Sequence, residues 1–165
     1  MKKSFKVLVL FSVVVLLCSC ASVPRYPYGK GEITIHLKGD SRLNLYDGSP
    51  HTLVLCTYQL RDPNAFNQLA DEKDGLSKLL EGSRFDSSVT YYKMLIVNPG
   101  QDLSEILDRA EGTTYVGFVA GYYLLEKNRV VRLYEIPLSR MSKNPEKLKI
   151  DLYLGPQEIQ DLKRK

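Results

Sequence analysis

The feature that most constrains the fold is an apolar alternation of period two. Ile33, Ile35 and Leu37 alternate with Thr34, His36 and Lys38, and Leu148, Ile150, Leu152 and Leu154 alternate with Lys149, Asp151 and Tyr153. Successive side chains of a strand point to opposite faces, so both segments read as strands with one buried and one wet face. Residues 52–60, 89–97, 114–125 and 130–136 add the β-branched and aromatic runs that strands favour. In the third run, Gly117 and Gly121 share a face, where a bulge or a close neighbouring segment would fit. Glu126-Lys127-Asn128 then reads as a short hairpin connection. Residues 103–107 fit a strand or a helical turn equally well. About seven short strands separated by turn signals predict a mainly β chain folded as a sandwich.

One insert interrupts the alternation. Asp62-Pro63 can serve as N-cap and first helical residue, followed by Phe66 and Leu69, then by Leu76, Leu79 and Leu80 at helical spacing. Gly82 supplies a stop, so the spacing predicts a short helical insert over about 62–82 within a sandwich domain spanning 32–155. Residues 156–165 are polar and charged and read as a helical tail.

The N-terminus carries a different signal. Three lysines stand within residues 1–6, and an eleven-residue apolar run, 7–17, is broken only by Ser12. A spanning helix needs about 20 apolar residues, so residues 1–19 read as a secretory signal peptide. The following Leu17-Cys18-Ser19-Cys20 resembles the lipobox of bacterial lipoproteins. That resemblance implies acylation of Cys20 and, because residue 21 is Ala rather than Asp, export to the outer membrane. Residues 20–31 hold two prolines and two glycines without apolar periodicity, a composition suited to a lipidated tether.

Charge and reactive residues narrow the function. The 165-residue chain has a net charge of +4, but removing residues 1–19 changes 23 basic and 19 acidic residues to 20 and 19, a mature charge of +1. Nucleic acid as partner loses its support, since that reading needs a basic excess. His36 falls on the polar face of the first strand, and His51 follows Pro50 in a turn-like segment. No phosphate loop, metal-ligand spacing or nucleophile signature is present. Asp71, Glu72 and Asp74 read as a solvated loop. Cys56, between Val54 and Tyr58 on one strand face, is expected to be a small buried hydrophobe. The sequence therefore predicts no catalytic residue, no metal, no cofactor and no small-molecule substrate.

The middle of the chain resembles a known family. Leu43-Asn44-Leu45-Tyr46-Asp47-Gly48-Ser49-Pro50, the strand ending Thr57-Tyr58-Gln59-Leu60, the segment Arg61-Asp62-Pro63-Asn64-Ala65-Phe66, the turn Val97-Asn98-Pro99-Gly100 and the run Tyr115-Val116-Gly117-Phe118-Val119-Ala120-Gly121-Tyr122 are similar, in order and spacing behind a lipobox, to the TssJ family of type VI secretion outer-membrane lipoproteins. The resemblance implies a transthyretin-like β-sandwich with a helical addition. It also implies a structural role at the periplasmic face of the outer membrane, binding the periplasmic C-terminal region of TssM and, through it, TssL. The loop joining the first two strands would make that contact.

Thirteen residues, 39–51, separate the two strands, more than a hairpin needs, and loops of that length are often functional. Leu43, Leu45 and Tyr46 are its candidate anchors, with Asn44 and Asp47 as orienting hydrogen-bonding groups. The competing reading folds Leu43 and Leu45 back onto the core and makes Asp47-Gly48 a plain turn. Two other functions compete with the scaffold: a solute-binding or surface lipoprotein, which would need an apolar pocket, and a lipoprotein enzyme.

Overall fold

The computed structural model describes residues 25–161. The signal peptide and Cys20 lie outside the described residues. The elements are β1 (Gly29–Gly39), β2 (Leu53–Leu60), α1 (Asn64–Asp71), α2 (Gly75–Leu79), β3 (Val89–Val97), β4 (Asp102–Arg109), β5 (Tyr115–Ala120), α3 (Lys127–Val130), β6 (Val131–Glu135), β7 (Leu148–Leu154) and β8 (Ile159–Asp161). They form two four-stranded sheets, ordered β4-β1-β7-β8 and β3-β2-β5-β6. The expected mainly β, two-sheet sandwich is what the chain adopts.

The two alternating segments become neighbours. β1 pairs parallel with β7, Ile33 opposite Leu148 through Gly39 opposite Leu154, and antiparallel with β4. Their inward side chains, Ile33, Ile35, Leu37, Ile150 and Leu152, pack against Leu53, Leu55, Val116, Phe118 and Ala120 of the facing sheet. Each such buried Leu or Ile contributes about 1.5–3 kcal/mol of transfer free energy.

β2 does not alternate, because both its faces are covered. Its other face, Val54, Cys56, Tyr58 and Leu60, meets Phe66, Ala70 and Leu79 of the helical insert. The Tyr58 hydroxyl donates to the Leu79 carbonyl at 2.5 Å. Gly117 faces the same insert: a Cβ there would stand 2.9 Å from Phe66 Cζ, so this glycine admits the ring. The close neighbour anticipated for that strand is the insert itself.

Cys56 is wholly buried, and burial pushes its thiol up from 9.0 to about 11. Burying the neutral thiol stabilises the fold fully below pH 9, and that contribution is lost as pH rises from 9 towards 11. With Cys20 replaced by Ser, the folded chain at pH 8 should alkylate at Cys56 at least about a hundredfold more slowly than in denaturant. Comparable rates by mass spectrometry would place the thiol outside the core.

Several boundaries differ from the sequence expectations. Residues 103–107 lie within strand β4. The run 114–125 leaves its sheet after Ala120, and the expected hairpin connection at Glu126-Lys127-Asn128 is instead part of a longer excursion containing α3. The tail is not helical at residues 159–161: β8 pairs antiparallel with β7, with Ile159 fully buried. Helix α1 starts one residue later than expected, with Pro63 as N-cap, while the Asp62 carboxylate accepts from the Asn64 amide at 3.0 Å. β1 begins at Gly29, inside the segment read as tether.

Candidate functional site

The loop between β1 and β2 is long because it carries the chain from one sheet to the other. It is tied down at both ends and in the middle. The Asp40 amide donates to the Leu154 carbonyl at 2.9 Å, the Leu45 amide to the Pro156 carbonyl at 2.8 Å, and the His51 amide to the Leu43 carbonyl at 2.9 Å. The Asp40 carboxylate also accepts from the Tyr153 hydroxyl. That bond, with the Arg42 amide, holds the Asp40 carboxyl below the usual carboxylate range.

The five residues expected to meet a partner divide into two groups. Leu43 is wholly buried and belongs to the core, and Asn44 is 5% exposed. Asn44 takes a left-handed conformation at φ 48°. Its amide nitrogen donates to the Thr52 carbonyl at 3.1 Å, and its side-chain oxygen accepts from the Tyr123 amide at 3.1 Å. The competing reading, in which the loop folds back, therefore holds for Leu43 and extends to Asn44. Both side chains are buried within the domain, and Asn44 also borders the cleft beside Tyr46.

Leu45 is half-buried, whereas Tyr46 and Asp47 are exposed. Asp47 and Gly48 have φ of 48° and 71°, the pair of positive values a type I′ turn requires. Tyr46 and Ser49 exchange amide–carbonyl bonds of 3.0 Å in both directions across that turn. The turn lifts Tyr46 clear of the core.

Tyr46 does not stand alone. Its ring stacks on Tyr123 at 3.9 Å between centroids and 9° between planes, and His51 meets Tyr123 edge-on at 5.4 Å. Tyr46 and Tyr123 remain 53% and 56% exposed, and Leu124 beside them is 51% exposed. Beneath the stack lies an apolar cleft of about 280 Å³ formed by Leu45, Tyr122, Leu124, Pro156 and Gln157 with the two tyrosines. Tyr122 is buried in its wall, its hydroxyl bonded to the Glu158 carbonyl at 2.9 Å.

Sequence reading missed Tyr123, Leu124 and Pro156, because 122–125 looked like a continuing strand. The departure is signalled only by Gly121, whose amide donates to the Val54 carbonyl at 2.8 Å as the strand ends. Among the described residues, no cluster of His, Cys, Asp and Glu could hold a metal ion. The arrangement offers binding: flat aromatic faces over an apolar cleft, with polar turn residues at the rim.

The fold and this pole define a two-sheet β-sandwich domain with an exposed aromatic loop at one end. A family profile of type VI secretion lipoproteins (VasD, EvfM, TssJ) matches residues 31–157. The chain belongs to that family. Its fold is similar to that of the lipoprotein TssJ1 from Pseudomonas aeruginosa, at 22% identity and TM-score 0.63, covering 85% of this chain and 98% of the other. It is also similar to Serratia marcescens Lip, described as a membrane bound component of the type VI secretion system, at 16% identity, TM-score 0.62 and coverages of 81% and 98%. A chain in the structure described as the TssM C-terminal domain from EAEC matches at 15% identity, TM-score 0.62 and coverages of 80% and 98%. Comparison with curated protein sequences finds no significant match.

Proposed function

We propose that this chain is a structural outer-membrane lipoprotein, not an enzyme. In this reading acylated Cys20 holds it to the periplasmic leaflet, and its β1–β2 loop binds the periplasmic C-terminal region of TssM, with TssL reached only through TssM. The observation that carries the proposal is the exposed Tyr46–Tyr123 stack, set on a turn whose root, Leu43 and Asn44, is locked into the core. Aromatic side chains on a rigid base lose little entropy on binding and often dominate interface energies. Family membership supports the machine, and the lipobox resemblance supports the anchor.

The solute-binding alternative would use the same cleft. At about 280 Å³ the cleft lies at the small end of the range for ligand pockets. Affinity purification of residues 20–165 from detergent-solubilised membranes should bring down a large inner-membrane protein identified as TssM by mass spectrometry. A preparation that repeatedly yields only this chain would defeat the scaffold reading. Replacing Cys20 with Ser should separately abolish palmitate incorporation and move the protein to the soluble fraction, because a chain without its acyl groups has no hydrophobic anchor.

A further inference from the structure

At the end of the sandwich opposite the tyrosine stack, the segment entering β1 is strapped to the domain. The Gly112 amide donates to the Tyr26 carbonyl at 2.7 Å, and Arg109 Nε donates to the Pro27 carbonyl at 3.3 Å. The Tyr28 hydroxyl donates to the Asp108 carboxylate, which also accepts from the Gly31 amide at 2.8 Å. Beside this strap an open groove lies between the edge strands β3 and β4, lined by Tyr28, Tyr91, Lys93, Ile106, Asp108 and Glu111. Tyr28, Tyr91 and Ile106 are 59%, 40% and 68% exposed.

We infer that this pole is a second membrane contact: Tyr28, Tyr91 and Ile106 rest in the headgroup region of the bilayer that holds the chain's own acyl groups. The inference rests on the acylation of Cys20 proposed above. Its main support is the length of chain left over. From Cys20 to the strapped Tyr26 are six residue steps, which span at most about 20 Å even fully extended. The groove therefore cannot leave the neighbourhood of the membrane surface. β1 runs about 33 Å from this pole to the other, which keeps the Tyr46 loop out of the bilayer's reach.

The chemistry of the groove fits an interface rather than a charged ligand. Lys93 is paired with Glu105 at 2.7 Å, and Asp108 is engaged by Tyr28 and Gly31, which hold its carboxyl below the usual range and keep it ionised. The exposed apolar surface is two tyrosines and an isoleucine, with the exposed carboxylate of Glu111 also on the lining, and tyrosine favours the boundary where one end of the ring is apolar and the other wet. Contact of this kind should be insensitive to salt.

The test uses the full acylated chain in vesicles of phosphatidylcholine and phosphatidylethanolamine. An environment-sensitive fluorophore is attached at Glu111→Cys or, in a separate preparation, at Asp47→Cys; Cys56 is buried and stays unlabelled. Nitroxide lipids should quench the probe at 111 severalfold more than the probe at 47, at low and high salt alike. Ile106→Asp combined with Tyr91→Ser should lower quenching at 111 while the lipid mass on Cys20 is unchanged. Equal quenching at the two positions, or strong quenching that survives both substitutions, would overturn the contact. A chain whose Cys20 carries no lipid by mass would overturn the anchoring reading first, and this inference with it.

Discussion

Phe66→Ala should lower the free energy of unfolding by about 3–5 kcal/mol, the range for emptying a well-packed aromatic site. Phe66 is wholly buried between α1 and the outer face of the β3-β2-β5-β6 sheet, with ring centroids 6.0 Å from Tyr58 and 6.4 Å from Phe85. It sits over Gly117, where no side chain can move in to fill the space it leaves. Relaxation would have to come from the insert, and α1 and α2 are too short to hold their shape without the contact. Loss of the ring therefore uncovers Cys56 and Val119 as well as creating a cavity. A domain of ordinary stability holds only about 5–15 kcal/mol, so this single change removes a large share. Urea unfolding would measure it as a drop in midpoint. A change below about 1 kcal/mol would mean that the insert is not the cover of that sheet.

What the sequence revealed depended on how local its cause was. β1 and β7 were legible because each keeps a solvated face, so polarity alone marks the alternation. β4 was not, because its polarity is inverted at two places. Glu105 lies on the inner side and is neutralised by Lys93 from the other sheet, while apolar Ile106 points outward. Neither partner is near in sequence, so no window over residues 103–107 could separate strand from helix. β8 is a comparable case: among polar neighbours, only Ile159 has a core to enter, and the strand exists because β7 offers it an edge.

The β1–β2 loop shows the same division. Asp47-Gly48 announced a turn, and the exposure of Tyr46 follows from it. The burial of Asn44 did not, because its bond reaches Tyr123, 79 residues along the chain. That bond also explains why residues 122–125 leave their strand. Once the Tyr123 amide is satisfied by Asn44, the backbone no longer needs a ladder partner there. One buried amide thus both roots the loop and brings Tyr123 under Tyr46.

Replacing Tyr46 with Ala should cost binding rather than stability. About half of the ring is already exposed, and its main neighbour, Tyr123, is an exposed ring with its own backbone anchor. Loss of the stack should shift stability by about 0.5–1.5 kcal/mol, the worth of one aromatic pair beyond its buried area. In a complex the same ring would be covered on both sides, and truncating such an anchor typically costs 2 kcal/mol or more, so affinity for the purified periplasmic region of TssM should fall about thirtyfold or further. Deleting residues 44–48 cannot serve as the control, because it also removes the Asn44 bonds and the turn. Leu43→Ala serves better. It should lower stability by about 2–5 kcal/mol, as a buried leucine does, while folded protein keeps its partner affinity. Calorimetric titration and thermal unfolding on the two variants then separate root from contact. If Tyr46→Ala binds as tightly as the parent, or loses affinity only in proportion to its stability, the tyrosine pole is not where TssM docks.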